Sequence, residues 1–148
     1  QYTNGDFILV FPFCSKKHTQ KKWPYFFELI AKIKEFYKNK YPILVAPGPG
    51  EINEAKKLKA KIVLENNQPI KLNFLISLIN SAKYIVSNDT GPAHICSHLN
   101  KKGLALFGSH TTSKKVNIGN TNFKTISVNR LSELKVDDVI KNLKKNLD

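Results

Sequence analysis

"KYIVSNDTGPAH", Lys83 to His94, decides how this chain folds. An apolar run, Lys83 to Asn88, passes through Asp89, Thr90, Gly91 and Pro92 straight into a second apolar segment. The run reads as a strand. Pro92 falls where the first turn of a helix tolerates a missing N–H. A strand that turns directly into a helix is the repeating unit of an α/β sheet, so the question is whether the unit recurs on both sides.

It does. Upstream, "KLNFLISLINSA" sets Leu72, Leu75, Ile76 and Ile79 along one helical face, and "KIVLE" (Lys61–Glu65) reads as a strand. "EINEAKKLK" (Glu51–Lys59) carries acids at its start and lysines at its end, the polarity that a helix dipole favours. "PILVAP" (Pro42–Pro47) is a further strand. "PYFFELIAKIKEFY" places Phe26, Ile30, Ile33 and Tyr37 at helical spacing, with Pro24 in its first turn. "FILVFPF" (Phe7–Phe13) is continuously apolar, as a strand covered on both faces must be. Downstream come strands at Gly103–Gly108 and Phe123–Val128. A closing helix, "VDDVIKNLKKNL", points Val136, Val139, Ile140, Leu143 and Leu147 inward. The pattern predicts a Rossmann-like three-layer αβα domain spanning residues 1–148, with a parallel sheet of about six strands.

Composition narrows the class. The chain has 148 residues, 41% of them hydrophobic, enough for one domain with its own core. No apolar run nears the roughly 18 residues of a transmembrane helix, and the start lacks the basic region of a signal peptide. The chain begins with Gln1, so it is expected to be a piece of something longer. Two cysteines, Cys14 and Cys96, are expected to be free thiols in a reducing cytoplasm. The net charge is +13, yet Arg130 is the only arginine. Specific DNA readers lean on arginine, so the charge does not indicate specific nucleic-acid recognition. Asn, Ile, Phe and Tyr share AT-rich codons with Lys, and base composition accounts for the charge about as well as peripheral contact with an anionic membrane does.

In parallel sheets, ligands sit at the carboxyl ends of the strands. Four loops leave those ends: Pro12–Trp23, Pro47–Glu51, Ser87–His94 and Gly108–Ser113. In the third, the amides of Gly91, Ala93 and His94 would begin a helix and attract phosphate, with the Thr90 hydroxyl beside them. Asp89 would repel a phosphate, so it either caps the helix or accepts bonds from sugar hydroxyls. An aspartic protease also uses Asp-Thr-Gly, but needs two carboxylates on a mostly β scaffold. His94 and His98 share a helix face, but Cys96 points elsewhere and no third ligand appears, so no metal is expected. His98 is expected to be structural. In the first loop, Ser15 and the lysines can hold a diphosphate, while Trp23 either covers the site or packs beneath the helix. In the second, Glu51 can accept both hydroxyls of a ribose or simply match a helix dipole. The fourth adds hydroxyls and His110.

Together, K-x-W-P after the first strand, G-P-G-E after the second, D-T-G-P-x-H after the fourth and L-F-G after the fifth resemble the C-terminal domain of the family 9 glycosyltransferases, the lipopolysaccharide heptosyltransferases. The resemblance runs from Phe7 to about Ser113. It implies the donor-binding half of a two-domain GT-B enzyme that transfers sugar with inversion, without metal or cofactor. The donor it implies is ADP-heptose-like. Lys21 then matches the lysine near the donor's phosphates and stabilises the leaving group. Glu51 matches the ribose acid, and Asp89, Thr90, Gly91 and His94 match the donor-binding turn. Ser15 stands near the hydroxyl residues that touch phosphate. The catalytic base and the surface for a lipid-linked or glycan acceptor would belong to an N-terminal half outside this chain. By itself the domain should bind nucleotide and transfer nothing, in the cytoplasm or at the inner membrane's cytoplasmic face. Two other readings stay open, a non-catalytic nucleotide-binding or interaction module and a basic nucleic-acid binder.

Overall fold

The computed structural model describes residues 5–110 and 118–147. In chain order the elements are β1 (Ile8–Phe11), α1 (Phe26–Phe36), β2 (Ile43–Val45), α2 (Ile52–Lys56), β3 (Lys61–Ile62), α3 (Leu72–Ser81), β4 (Tyr84–Asn88), α4 (Gly91–His98), β5 (Gly103–Phe107), β6 (Phe123–Ser127) and α5 (Val136–Leu147). The sheet order is β3-β2-β1-β4-β5-β6, and every pairing is parallel. β1 lies between β2 and β4, with Val10 opposite both Val45 and Val86. That central place explains why all four of its residues are apolar and buried.

Because side chains alternate across a strand, the same short runs feed two cores. Ile8, Val10, Ile43, Val45, Tyr84, Val86, Leu104 and Leu106 face one side, where α1 supplies Leu29 and Ile33 and α5 supplies Leu143 and Leu147. Leu9, Phe11, Leu44, Ile85, Ala105 and Phe107 face the other, against Leu78 and Ile79 of α3 and Ala93 and Cys96 of α4. Gly103 opens β5 because nothing larger fits. A Cβ there would lie 2.5 Å from the Ile85 carbonyl oxygen and 2.8 Å from the Phe123 ring. The chain winds outward from β1 through β2 to β3, then returns to β4 on the other side of β1. This reversal splays the loops that leave β1 and β4, the place where doubly wound sheets hold ligands.

Several sequence expectations need adjustment. Pro24 precedes α1 instead of sitting in its first turn, since Tyr25 is the residue flanking the helix start. α2 stops at Lys56, and Lys59 takes a left-handed φ of 56°. β3 is short, Lys61–Ile62 with one further bond from the Val63 amide to the Val45 carbonyl, before Asn66 and Asn67 (φ 52° and 63°) fold the chain into a tight turn closed by Glu65 and Gln68. α3 is rotated from its expected face. It buries Leu78 and Ile79, while Leu72 is 62% exposed. The apolar stripe is shared between the core and the wall of a cavity, described below. Both cysteines are free thiols. No helix among the described residues is long and apolar enough to cross a membrane.

Candidate nucleotide-sugar site

A cavity of about 390 Å³ opens at the carboxyl ends of β1, β2 and β4. Ser15, Glu51, Thr90 and Pro92 line it from three loops, and Pro69, Ile70 and Leu72 close its apolar side. Three of the predicted residues, Ser15, Glu51 and Thr90, therefore line the same cavity. Glu51 flanks the start of α2 and turns a carboxylate oxygen back to the Gly48 amide, 2.7 Å away. Gly48 makes this possible, since a Cβ there would stand 3.1 Å from that same oxygen. That bond holds the carboxylate of a residue that lines the cavity. Ser15 caps the 3-10 turn Lys16–Lys21 and accepts the Lys17 amide at 3.3 Å, so its hydroxyl already serves the loop.

Thr90 flanks α4 with extended backbone angles, and its side chain makes no cap bond. Its buried hydroxyl has no partner, although the residue faces the cavity. An orphaned buried hydroxyl is costly unless something occupies the space before it. The amides beyond differ from expectation. Ala93 gives its N–H to the Thr90 carbonyl at 3.0 Å, so of the three expected donors its amide is already used, while Gly91 stands at the helix's first position. His94 sits half-buried in the first turn of α4 but does not line the cavity. His98 is exposed.

Asp89 neither caps α4 nor lines the cavity wall. It is 3% exposed, and its Oδ2 meets Lys21 Nζ at 3.6 Å and His110 Nε2 at 2.9 Å. A carboxylate this buried persists only when paired, and these two groups pair it. Sequence reasoning placed Lys21 at the site and left His110 without a role. The signal available for His110 was its position just past the end of β5, at the same sheet edge. The loop bearing Lys21 is tied down from both sides. The Trp23 amide donates to the buried Asn88 side-chain oxygen at 3.1 Å, at the end of β4. The Trp23 indole N–H donates to the Leu134 carbonyl at 2.9 Å. Trp23 is thus core and no lid. Lys22 pairs with Glu54 of α2. Of the fourth loop, residues 111–113 lie outside the described residues. Among the described residues no cluster of three or more His, Cys, Asp or Glu gathers to hold a metal.

The family model for glycosyltransferase family 9 (heptosyltransferase) matches residues 2–144. The chain belongs to glycosyltransferase family 9. The solved structures agree in fold with this family 9 chain. E. coli heptosyltransferase WaaC with ADP superposes at a TM-score of 0.82 with 23% identity, covering 96% of this chain and 44% of that one. E. coli ADP-heptose lps heptosyltransferase II gives a TM-score of 0.79 with 19% identity, over 96% and 46% of the two chains. A UDP-GlcNAc 2-epimerase from Methanocaldococcus jannaschii gives a TM-score of 0.66 at 17% identity, covering 97% and 39%. The family 9 chain spans less than half the length of each of these structures. Sequence comparison with curated proteins gives no match.

Proposed function

We propose that this domain binds the nucleotide-sugar donor of an inverting glycosyltransferase, with an ADP-heptose-like molecule as the donor. The observation that carries the reading is the buried, unpartnered hydroxyl of Thr90, a residue that lines the same cavity as Glu51. A nucleoside diphosphate uses both. Glu51 accepts the ribose hydroxyls with the oxygen that Gly48 leaves available, and the apolar side of the cavity takes the base. Thr90, the Gly91 amide and the α4 dipole meet the phosphates. Lys21, carried beside the site on Asp89, supplies the positive charge. His94 extends the polar start of α4 toward the same group, and Ser15 adds a hydroxyl. WaaC has been solved with ADP and with ADP-2-deoxy-2-fluoro heptose, which supports adenine and a heptose as the first choices to test.

In transfer, the glycosidic bond to the diphosphate breaks and negative charge grows on the leaving oxygen. Preorganised donors aimed at that oxygen lower the barrier without reorganising. The Gly91 amide, Thr90 and Lys21 fill that role. Asp89, uncovered on the side that Lys21 vacates when it turns to the phosphates, addresses hydroxyls of the sugar. The acceptor, glycan or lipid-linked, and the base that takes its proton belong to another part of a longer protein in this proposal. The setting is the cytoplasmic side of the membrane where cell-surface glycan is built.

Thermal melting with added ligand tests the reading. ADP or ADP-heptose at one hundred times its dissociation constant should stabilise the chain by about 2.7 kcal/mol. For a chain of this size that raises the melting temperature by roughly 5–10 °C. UDP, prompted by the epimerase likeness, should do less. No shift with any adenine nucleotide, together with a shift on adding RNA, would reject the reading.

A further inference from the structure

The two partners of Asp89 are not equivalent. Lys21 Nζ stands 3.6 Å from Oδ2, beyond the range of a formed hydrogen bond, at the end of a flexible side chain that is 28% exposed. His110 Nε2 stands at 2.9 Å on the same oxygen, and its side chain is 7% exposed. The imidazole is held in place. It stacks on Phe107, with ring centroids 6.2 Å apart and planes 14° from parallel. The nitrogen that faces a carboxylate must carry the proton, whatever the charge of the ring. The other nitrogen, Nδ1, is buried and has no partner, and the residue borders a second cavity of about 570 Å³ shared with Ser109 and Arg130.

A diphosphate arriving beside Thr90 would draw Lys21 toward it, because the lysine is partly exposed and its 3.6 Å contact with Asp89 is only electrostatic. Asp89 would then be a buried carboxylate stripped of its cation. We propose that His110 is the positioning residue for Asp89: it keeps the carboxylate in place when Lys21 turns to the donor's phosphates, so that Asp89 can accept the sugar's hydroxyls. This rests on the donor-binding reading above. It divides the labour at the site. Lys21 answers to the phosphates, and the Asp89–His110 pair answers to the sugar.

The experiment is calorimetric titration of the chain with ADP and, separately, with ADP-heptose. His110→Phe keeps the stacked ring and removes the hydrogen bond. It should leave ADP affinity within about twofold and lower ADP-heptose affinity about tenfold, the effect of one charge-assisted bond. His110→Gln, which restores an N–H donor, should recover most of the loss. Asp89→Ala should lose the same increment, and the double variant should lose no more than either single one, since the two act as a unit. Unchanged ADP-heptose affinity in His110→Phe, equal loss for ADP and ADP-heptose, or additive losses in the double variant would each overturn the proposal. Wild-type chain that binds neither ligand would reject the donor-binding reading, and His110's role with it. That result is visible before any variant is made. If the variants fail to fold, the ¹⁵N spectrum of the wild-type imidazoles decides. The His110 ring should carry its proton on Nε2, and a ring protonated on Nδ1 alone would refute the pairing.

Discussion

At the scale of single residues, the two thiols report on the cavity. Cys14 is half-buried and lines it beside Ser15 and Thr90. Burial pushes its pKa up, and Lys22 only partly opposes this. Cys96 is fully buried on the core face of α4, and burial pushes its thiol up to about 12. Thiolate is the reactive form, so a maleimide at pH 8 should label Cys14 slowly and Cys96 not at all while the chain is folded. Saturating ADP should slow Cys14 labelling by roughly tenfold or more, as expected of a thiol covered by bound ligand. Labelling of Cys14 at an unchanged rate, with ADP shown to be bound, would place the nucleotide elsewhere. Glu51 and Thr90 were legible in the sequence because each stands where a strand-like run meets a helix-like one. The partners of Asp89 were not. Lys21 and His110 come from loops after different strands, and spacing along the chain does not say which loops meet above a sheet. The orphaned state of the Thr90 hydroxyl is likewise a property of three-dimensional packing alone.

At the scale of elements, what the sequence shows is periodicity. Continuous apolar runs marked the strands, and 3.6-residue spacing marked α1 and α5, because each pattern follows directly from which faces are covered. α3 was misplaced in rotation because two different apolar surroundings, core and cavity, sit on its sides. The 3-10 turn Lys16–Lys21 leaves no periodic signal in the sequence, since its residues are polar and, Lys21 apart, exposed, and its order comes from tethers. Trp23 is the principal tether. Its ring packs edge-on against Phe26 at 5.1 Å and against Tyr25 at 5.9 Å, while its two N–H groups bond to β4 and to the segment before α5. Trp23→Phe would shrink the ring and strand the Leu134 carbonyl without its donor. The expected cost is about 2–4 kcal/mol from lost packing and an unsatisfied buried acceptor. In melting experiments this should appear as a drop of roughly 5–15 °C. ADP affinity should fall as well, since the loop that carries Lys21 is released. A melting temperature within a degree or two of wild type would mean that Lys22–Glu54 and the flanking contacts hold the loop without the indole.

At the scale of the whole molecule, two groups with raised pKa sit in the two cores, one on each face of the sheet. Cys96 belongs to the core under α3 and α4, and Tyr84 to the core under α1 and α5. Burial pushes both upward. The folded chain therefore keeps protons that the unfolded chain surrenders once the pH passes the ordinary thiol range. Where the folded state binds more protons, stability falls as pH rises. For Cys96 the window runs from near 9.0, the ordinary value, to about 12. Within it the slope is about 1.4 kcal/mol per pH unit for one group. An opposing effect acts at the same time. With 24 Lys and Arg against 11 Asp and Glu, the chain repels itself, and deprotonating lysines relieves that repulsion as the pH climbs. The net pH dependence of the wild type is the sum of the two and cannot separate them. The difference between wild type and Cys96→Ala can, because both share the same lysines. Denaturant unfolding at steps from pH 8 to pH 10.5 should find Cys96→Ala less stable at pH 8 by about 1 kcal/mol, the cost of a small cavity. The gap should close, and then reverse, as the pH rises. Curves that stay parallel across the range would show that the thiol gives up its proton in the folded core as readily as in water, against the burial that the structure assigns to it.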